Sequence, residues 1–247
     1  MTQLLSLTPW LQEYLADGAS FVISTSLVAG YYLYLRRQAI IHPTYSIHAV
    51  NAIARIRWTE KIMNGNGLEL VAVQSLRNFI MVCIAMSSTA SVLIIGTLTL
   101  SGQAENITRS WHLLATLGSH SPILWIVKVL LLLVDFIVAF FAYAMAMRLA
   151  THVLFMINVP QTAFRKHAAL GPACVGNRLV RAGNMITIGM RAFLFAIPMV
   201  FWLFGPLFLF FATIGLVVTL YRLDRNEAAD SVVALDALST PEAAPLK

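Results

Sequence analysis

Charged residues are scarce in this chain: Asp, Glu, Lys and Arg make up 11% of its 247 positions, against about 25% in an ordinary soluble domain. That shortage excludes the solvated surface of a soluble globular protein. Only two cysteines occur, Cys83 and Cys174, too few and too far apart for a disulfide framework or a cysteine-based zinc site. The chain has no glycine-rich phosphate loop, metalloprotease signature or nucleophile elbow, which removes the commonest readable catalytic motifs. Its six histidines, His42, His48, His112, His120, His152 and His167, all fall outside the long apolar runs. No two therefore stand at matched depth, as bis-histidine haem ligation within a bundle requires. No metal or cofactor is expected.

Long hydrophobic runs take the place of charge. Hydrophobic residues make up 59% of the chain and the mean hydropathy is +0.77. Four runs, 18–35, 79–100, 123–147 and 193–220, can each cross a hydrocarbon core about 30 Å thick, which takes roughly 20 helical residues. The expected fold is an all-α integral membrane four-helix bundle. Glu13 and Asp17 precede the first run, and Arg36 and Arg37 follow it; a cleaved signal peptide has the reverse pattern, so the first span is retained. The net charge of +6 is concentrated in the loops after the first and third runs. The positive-inside rule therefore makes those loops cytoplasmic and puts both termini outside. Topology accounts for the basicity, and no nucleic-acid partner is expected.

Residues 1–17 place Leu4, Leu7, Leu11 and Leu15 mostly on one helical face, as a segment lying in the outer interface would. In "YSIHAVNAIARIRWTEKIM", residues 45–63, apolar side chains recur at three- and four-residue steps. This predicts an amphipathic cytoplasmic helix, ended by "NGNG" at 64–67. The second cytoplasmic loop, from Asn158 to about Thr187, carries "GP" at 171 and "GN" at 176 and 183, which predicts a helix-turn-helix at the membrane surface. Residues 221–247 are polar and read as a disordered tail. Small residues, among them Gly30, Ala85, Gly96, Ala139, Ala142, Ala146 and Gly215, suit close helix contacts in lipid.

Five stretches in order, "RWTEKIM" (57–63), "AVQSLRNFIM" (72–81), "RAGNMITIGMRAFLF" (181–195), "FWLFGP" (201–206) and "LYRLDRN" (220–226), make the chain resemble domain-of-unknown-function family 599. These are uncharacterised multi-pass membrane proteins of proteobacteria and plants. The resemblance spans roughly Ala49 to Asn226 and implies a multi-pass protein of the bacterial inner membrane, with no particular activity. Lys128, Arg148 and His152 look like family positions, while Asp135 departs from the pattern.

Two groups of residues are candidate sites. Trp125 marks the outer interface, so Lys128 can snorkel outward and Arg148 inward, whereas Asp135 falls roughly 15 Å deep, near the bilayer centre. "SSTAS" (Ser87, Ser88, Thr89, Ser91) and the Trp202 carbonyl, freed because Pro206 has no N–H, fall at a similar depth. The layer is either a proton or cation site or a hydrogen-bonded plug. On the cytoplasmic side, Arg77, Asn78, His152, Arg181, Asn184 and Arg191 either bind an anion such as a phospholipid phosphate or serve only as positive-inside anchors and helix caps. The first functional expectation is a non-enzymatic structural or accessory subunit, binding the bilayer (anionic phospholipid included), a larger membrane complex or a second copy of itself. The alternatives are a small proton- or ion-linked transporter at Asp135 and, more remotely, an enzyme acting on lipid head groups.

Overall fold

The computed structural model describes residues 9–41, 47–65, 67–102, 122–160 and 167–224. All regular structure among them is helical: α1 (Pro9–Ile41), α2 (Ile47–Asn64), α3 (Glu69–Gly102), α4 (Pro122–Met156), α5 (Pro172–Phe204) and α6 (Pro206–Asp224), with one 3-10 turn at Ala168–Leu170. Every helix except α2 is long and apolar enough to cross a membrane, and the chain is a membrane protein.

That makes five membrane-length helices, and the expected four-helix bundle is corrected accordingly. The run at 193–220 is uniformly apolar, but Gly205 breaks it with φ 150°, a conformation that a residue bearing a Cβ adopts only under strain. Pro206 follows, with no N–H to continue the ladder. Its ring suits the first turn of a new helix, and α6 runs back antiparallel to α5. The reversal puts Asp224, at the end of α6, beside His48 of α2, while Asp17 near the start of α1 sits beside Trp202 at the other end. The described ends of the chain thus lie at opposite ends of the bundle, which four spans do not allow.

The second cytoplasmic loop is also revised. Pro172 opens α5 directly after Gly171, and the helix runs unbroken through Gly176 and Gly183 to Phe204. These glycines make room for neighbours and do not mark turns. A Cβ on Gly176 would approach the Ile56 Cα to 3.2 Å, and one on Gly189 would come within 2.7 Å of the Tyr143 ring. Both glycines are buried in helix contacts of the kind small residues permit.

Helix α4 is central, packed between α3 and α5. Val129, Leu132, Phe136, Ala139, Tyr143, Ala146, Ala150 and Val153 follow one another at three- and four-residue steps and are all buried, a continuous seam on one helical face. Of the four alanines expected at interfaces, Ala139, Ala142 and Ala146 are buried, while Ala85 is exposed. Gly30, Gly96 and Gly215 instead face open space. Helix α2 forms as expected and ends at Asn64, with Gly67 at φ 77°. It packs against the N-terminal half of α5, where Ile62 and Met63 join Leu76, Val153, Val175 and Leu179 in one apolar cluster. Helix α1 packs mainly on α6. Residues 9–17 belong to α1, and Tyr221 to Asp224 to α6. The expected interfacial segment up to residue 8 and the tail from residue 225 lie outside the described residues. With five crossings, reporters fused to Met1 and to Lys247 in turn are expected on opposite sides of the membrane; a same-side result returns the count to four.

Candidate functional site

Two polar clusters, one at each end of the bundle, join helices that are distant in sequence. Lys128, one turn past Trp125 on α4, does not snorkel outward as expected. It is 4% exposed, and its Nζ lies 2.9 Å from Asp17 Oδ1 of α1. The ammonium also donates to the Trp202 carbonyl of α5 at 3.3 Å and sits 5.2 Å from the centre of the Trp202 ring. The Trp202 indole Nε1 donates to the same Asp17 oxygen at 2.9 Å, and Phe21 stacks on the indole at 4.9 Å. The carbonyl freed by Pro206 is therefore used, but by the Gly205 N–H at 3.2 Å and by Lys128, not by Asp135. Trp202 leaves the mid-membrane layer and joins this end cluster.

At the other end, Asp224 of α6 collects donors from three helices. Tyr31 O–H of α1 donates to Oδ2 at 2.8 Å, and Arg191 Nη2 of α5 donates to both oxygens at 3.0 Å. His48 Nε2 of α2 lies 2.9 Å from Oδ1 and 3.0 Å from Arg191 Nη2. It donates to the acid in one tautomer and accepts from the guanidinium in the other. Arg191 also stands 5.1 Å from the centre of the Tyr32 ring, within cation–π range. A carboxylate with this many donors is the way a charge is accommodated where water is scarce. Among the expected residues only Arg191 belongs here; Tyr31, His48 and Asp224 were missed. Asp224 falls inside the motif "LYRLDRN", yet nothing in the sequence ties it to a residue on the preceding helix.

The remaining candidates do not converge. Asp135 is partly buried, and its Oδ2 is enclosed with no hydrogen-bond partner among the described residues. The Ser91 hydroxyl donates to the Ser87 carbonyl and that of Thr89 to the Ala85 carbonyl, both within α3. Ser88 and Thr89 point away from the bundle, being exposed. The expected hydrogen-bonded plug around Asp135 is thus not formed among the described residues. Arg77, Asn78, His152, Arg181 and Asn184 are all exposed, while Arg191, expected beside them, is committed to Asp224. Asn184 and Arg181 neighbour a different feature: the guanidinium of Arg55, from α2, lies over Gly183 of α5. No acid accompanies it among the described residues. Burial lowers the Arg55 pKa from its ordinary value with no charged neighbour offsetting the shift.

Chemically, both end clusters act as clamps between helices. Breaking a buried pair by removing one partner strands the other charge, at a cost of about 3–5 kcal/mol, whereas replacing both can be neutral. Lys128→Met or Asp17→Leu alone is therefore expected to lower the thermal midpoint in detergent sharply. The double variant is expected to lose less than the sum of the two, as midpoints in one detergent will show.

No curated protein and no solved structure matches the chain. The family model described as "Protein of unknown function, DUF599" matches residues 19–229, a stretch that includes every residue of the Asp224 cluster, and the chain belongs to that family.

Proposed function

We propose that this protein is a non-enzymatic structural or accessory subunit of the bacterial inner membrane that binds lipid and, through its exposed apolar faces, a partner complex or a second copy of itself. The observation carrying this reading is how its buried charges are used. Asp17, Lys128, Arg191 and Asp224 are engaged with one another or with neighbouring polar groups across helices, so they hold the bundle together and leave little for turnover. The topology that fits has the α1 start outside and the α6 end inside. All Lys and Arg residues except Arg109 and Lys128 then fall on or near the cytoplasmic side, a stronger positive-inside bias than four spans give. Large apolar side chains such as Val22, Leu33, Ile95, Phe141, Ile197 and Phe211 stand exposed along all five membrane-length helices, available to acyl chains or to partner helices.

A second reading, a small proton- or ion-linked transporter, draws on one atom. The enclosed, unpartnered Oδ2 of Asp135 suits a site whose proton comes and goes, and intramembrane acids are functional candidates by default. The readings separate on Asp135→Asn and Asp135→Leu. A scaffold leaves the unpaired acid a pure liability of about 2.5–3.5 kcal/mol, so Asp135→Leu is expected to raise the thermal midpoint and leave proton leak in proteoliposomes unchanged. A proton or cation flux that the wild type carries and Asp135→Asn abolishes would establish transport in its place. Purification in mild detergent, with co-purifying proteins and lipids identified, is expected to return a defined partner or lipid set.

A further inference from the structure

Arg55 sits in a groove between α2, α3 and α5, about 330 Å³ in volume, whose walls include Asn51, Trp58, Ser75, Phe79 and Leu179. The sequence dictates this placement. Arg55 lies on the face of α2 that meets α5, and Gly183 is the notch that receives it: a Cβ there would lie 2.7 Å from Arg55 Nη2 and nearer still to Cζ and Nη1. The guanidinium is half-buried and has five N–H donors in a fixed fork. Among the described residues no acid, hydroxyl or carbonyl takes them up. Among the other buried or half-buried cations, Lys128 and Arg191 each have a carboxylate within 3.0 Å. Arg55 has the cost of partial desolvation without the compensation.

The position along the helix narrows what could supply that compensation. Measured from Phe204 at the α5–α6 turn, Gly183 lies roughly 32 Å along α5 at 1.5 Å per residue, about one hydrocarbon thickness of ~30 Å. With the turn at one surface, Arg55 stands at the head-group level of the other. The groove has two kinds of wall to match. Asn51 and Ser75 are polar, while Trp58, Leu76, Phe79 and Leu179 are apolar. Arg77 and Arg178 flank the lining residues Leu76 and Leu179, and the nearby acid Glu60 is held by Arg57 at 3.0 Å. The local field is therefore positive.

We infer that the α2–α3–α5 groove is a binding site for an anionic phospholipid, its phosphate held in the fork of the Arg55 guanidinium and the root of an acyl chain lying along Trp58, Phe79 and Leu179. This deepens, and rests on, the reading of the chain as a lipid-binding membrane protein. Planar bidentate recognition of phosphate is what arginine does better than lysine. Gly183 is then a positioning residue, since a methyl group there displaces the flexible guanidinium tip without touching backbone.

The test uses the full-length protein, delipidated in a neutral detergent and titrated with phosphatidylglycerol, phosphatidylcholine or inorganic phosphate while the thermal midpoint is followed. Phosphatidylglycerol is expected to raise the midpoint of the wild type, and the other two to do little. Arg55→Gln is expected to weaken the phosphatidylglycerol response roughly tenfold in half-saturating concentration, as loss of a charge-assisted bidentate contact implies, with Arg55→Lys intermediate. Ser75→Trp, which fills the groove and leaves Arg55 in place, is expected to do the same and covers the case in which Arg55→Gln does not fold. Gly183→Ala is expected to weaken binding less. If the wild type prefers phosphatidylglycerol and both Arg55→Gln and Ser75→Trp respond as it does, the groove is not the site, although the lipid-binding reading survives. If inorganic phosphate matches phosphatidylglycerol, the site takes free anion and the lipid assignment falls. If the wild type responds to none of them, the groove assignment and the lipid reading fail together.

Discussion

A charge held in a slab of hydrocarbon must find a partner, and in this protein the backbone reversal at Gly205 supplies the partners. The φ of 150° at Gly205 ends α5 just after Trp202 and sends α6 back along it. One consequence is that the Trp202 carbonyl, deprived of its usual donor by Pro206, is free to accept from Lys128. Another is that Asp224 comes to rest against Arg191, although a straight helix would carry the two far apart. Without that turn Asp224 would lose its donors from Tyr31, His48 and Arg191. Helix α1, which packs mainly on α6, would have little to hold it to the α3–α4–α5 core.

Much of the frame was legible in the sequence because the bilayer imposes it. Scarcity of charge, the length of the apolar runs and the placement of Lys and Arg announce membrane helices, since each rests on the cost of exposing polar groups to lipid. Helix α2 and its stop at Asn64 were equally legible from period and turn chemistry. What escaped was the fifth helix. Hydropathy runs smoothly across Phe204 to Leu207, and a Gly-Pro pair inside an apolar run describes a tolerated kink as well as a reversal. Choosing between them depends on whether α6 has somewhere to pack, which is tertiary information. Gly176 and Gly183 were misread for a related reason: glycine signals both turns and close approach, and only the presence of Ile56 and Arg55 opposite them distinguishes the two.

The candidate site was less legible than the fold, and the errors share a cause. Lys128 looked like a residue that snorkels, because its depth was counted along one helix without knowing that Asp17 faced it. Asp224 looked like one acid of a polar tail. Both judgements treat a residue within its own segment, whereas the chemistry lies in pairs separated by more than a hundred positions, Asp17 with Lys128 and His48 with Asp224. Asp135 went the other way. Two of the hydroxyls expected to serve it, those of Thr89 and Ser91, bond within their own helix, and Oδ2 of the acid finds no hydrogen-bond partner among the described residues. Its isolation is what keeps a transport role open beside the scaffold role.

The pairing of α5 with α6 through Arg191 and Asp224 is the most direct consequence of the reversal, and a double-mutant cycle on thermal stability in detergent measures it. Arg191→Met and Asp224→Leu are each expected to destabilise the bundle, and the double variant to recover part of the sum, with a coupling of about 0.5–3 kcal/mol as found for residues sharing one network. Strictly additive losses would mean that the two side chains do not meet, and the five-helix arrangement with its end clamps would have to be abandoned.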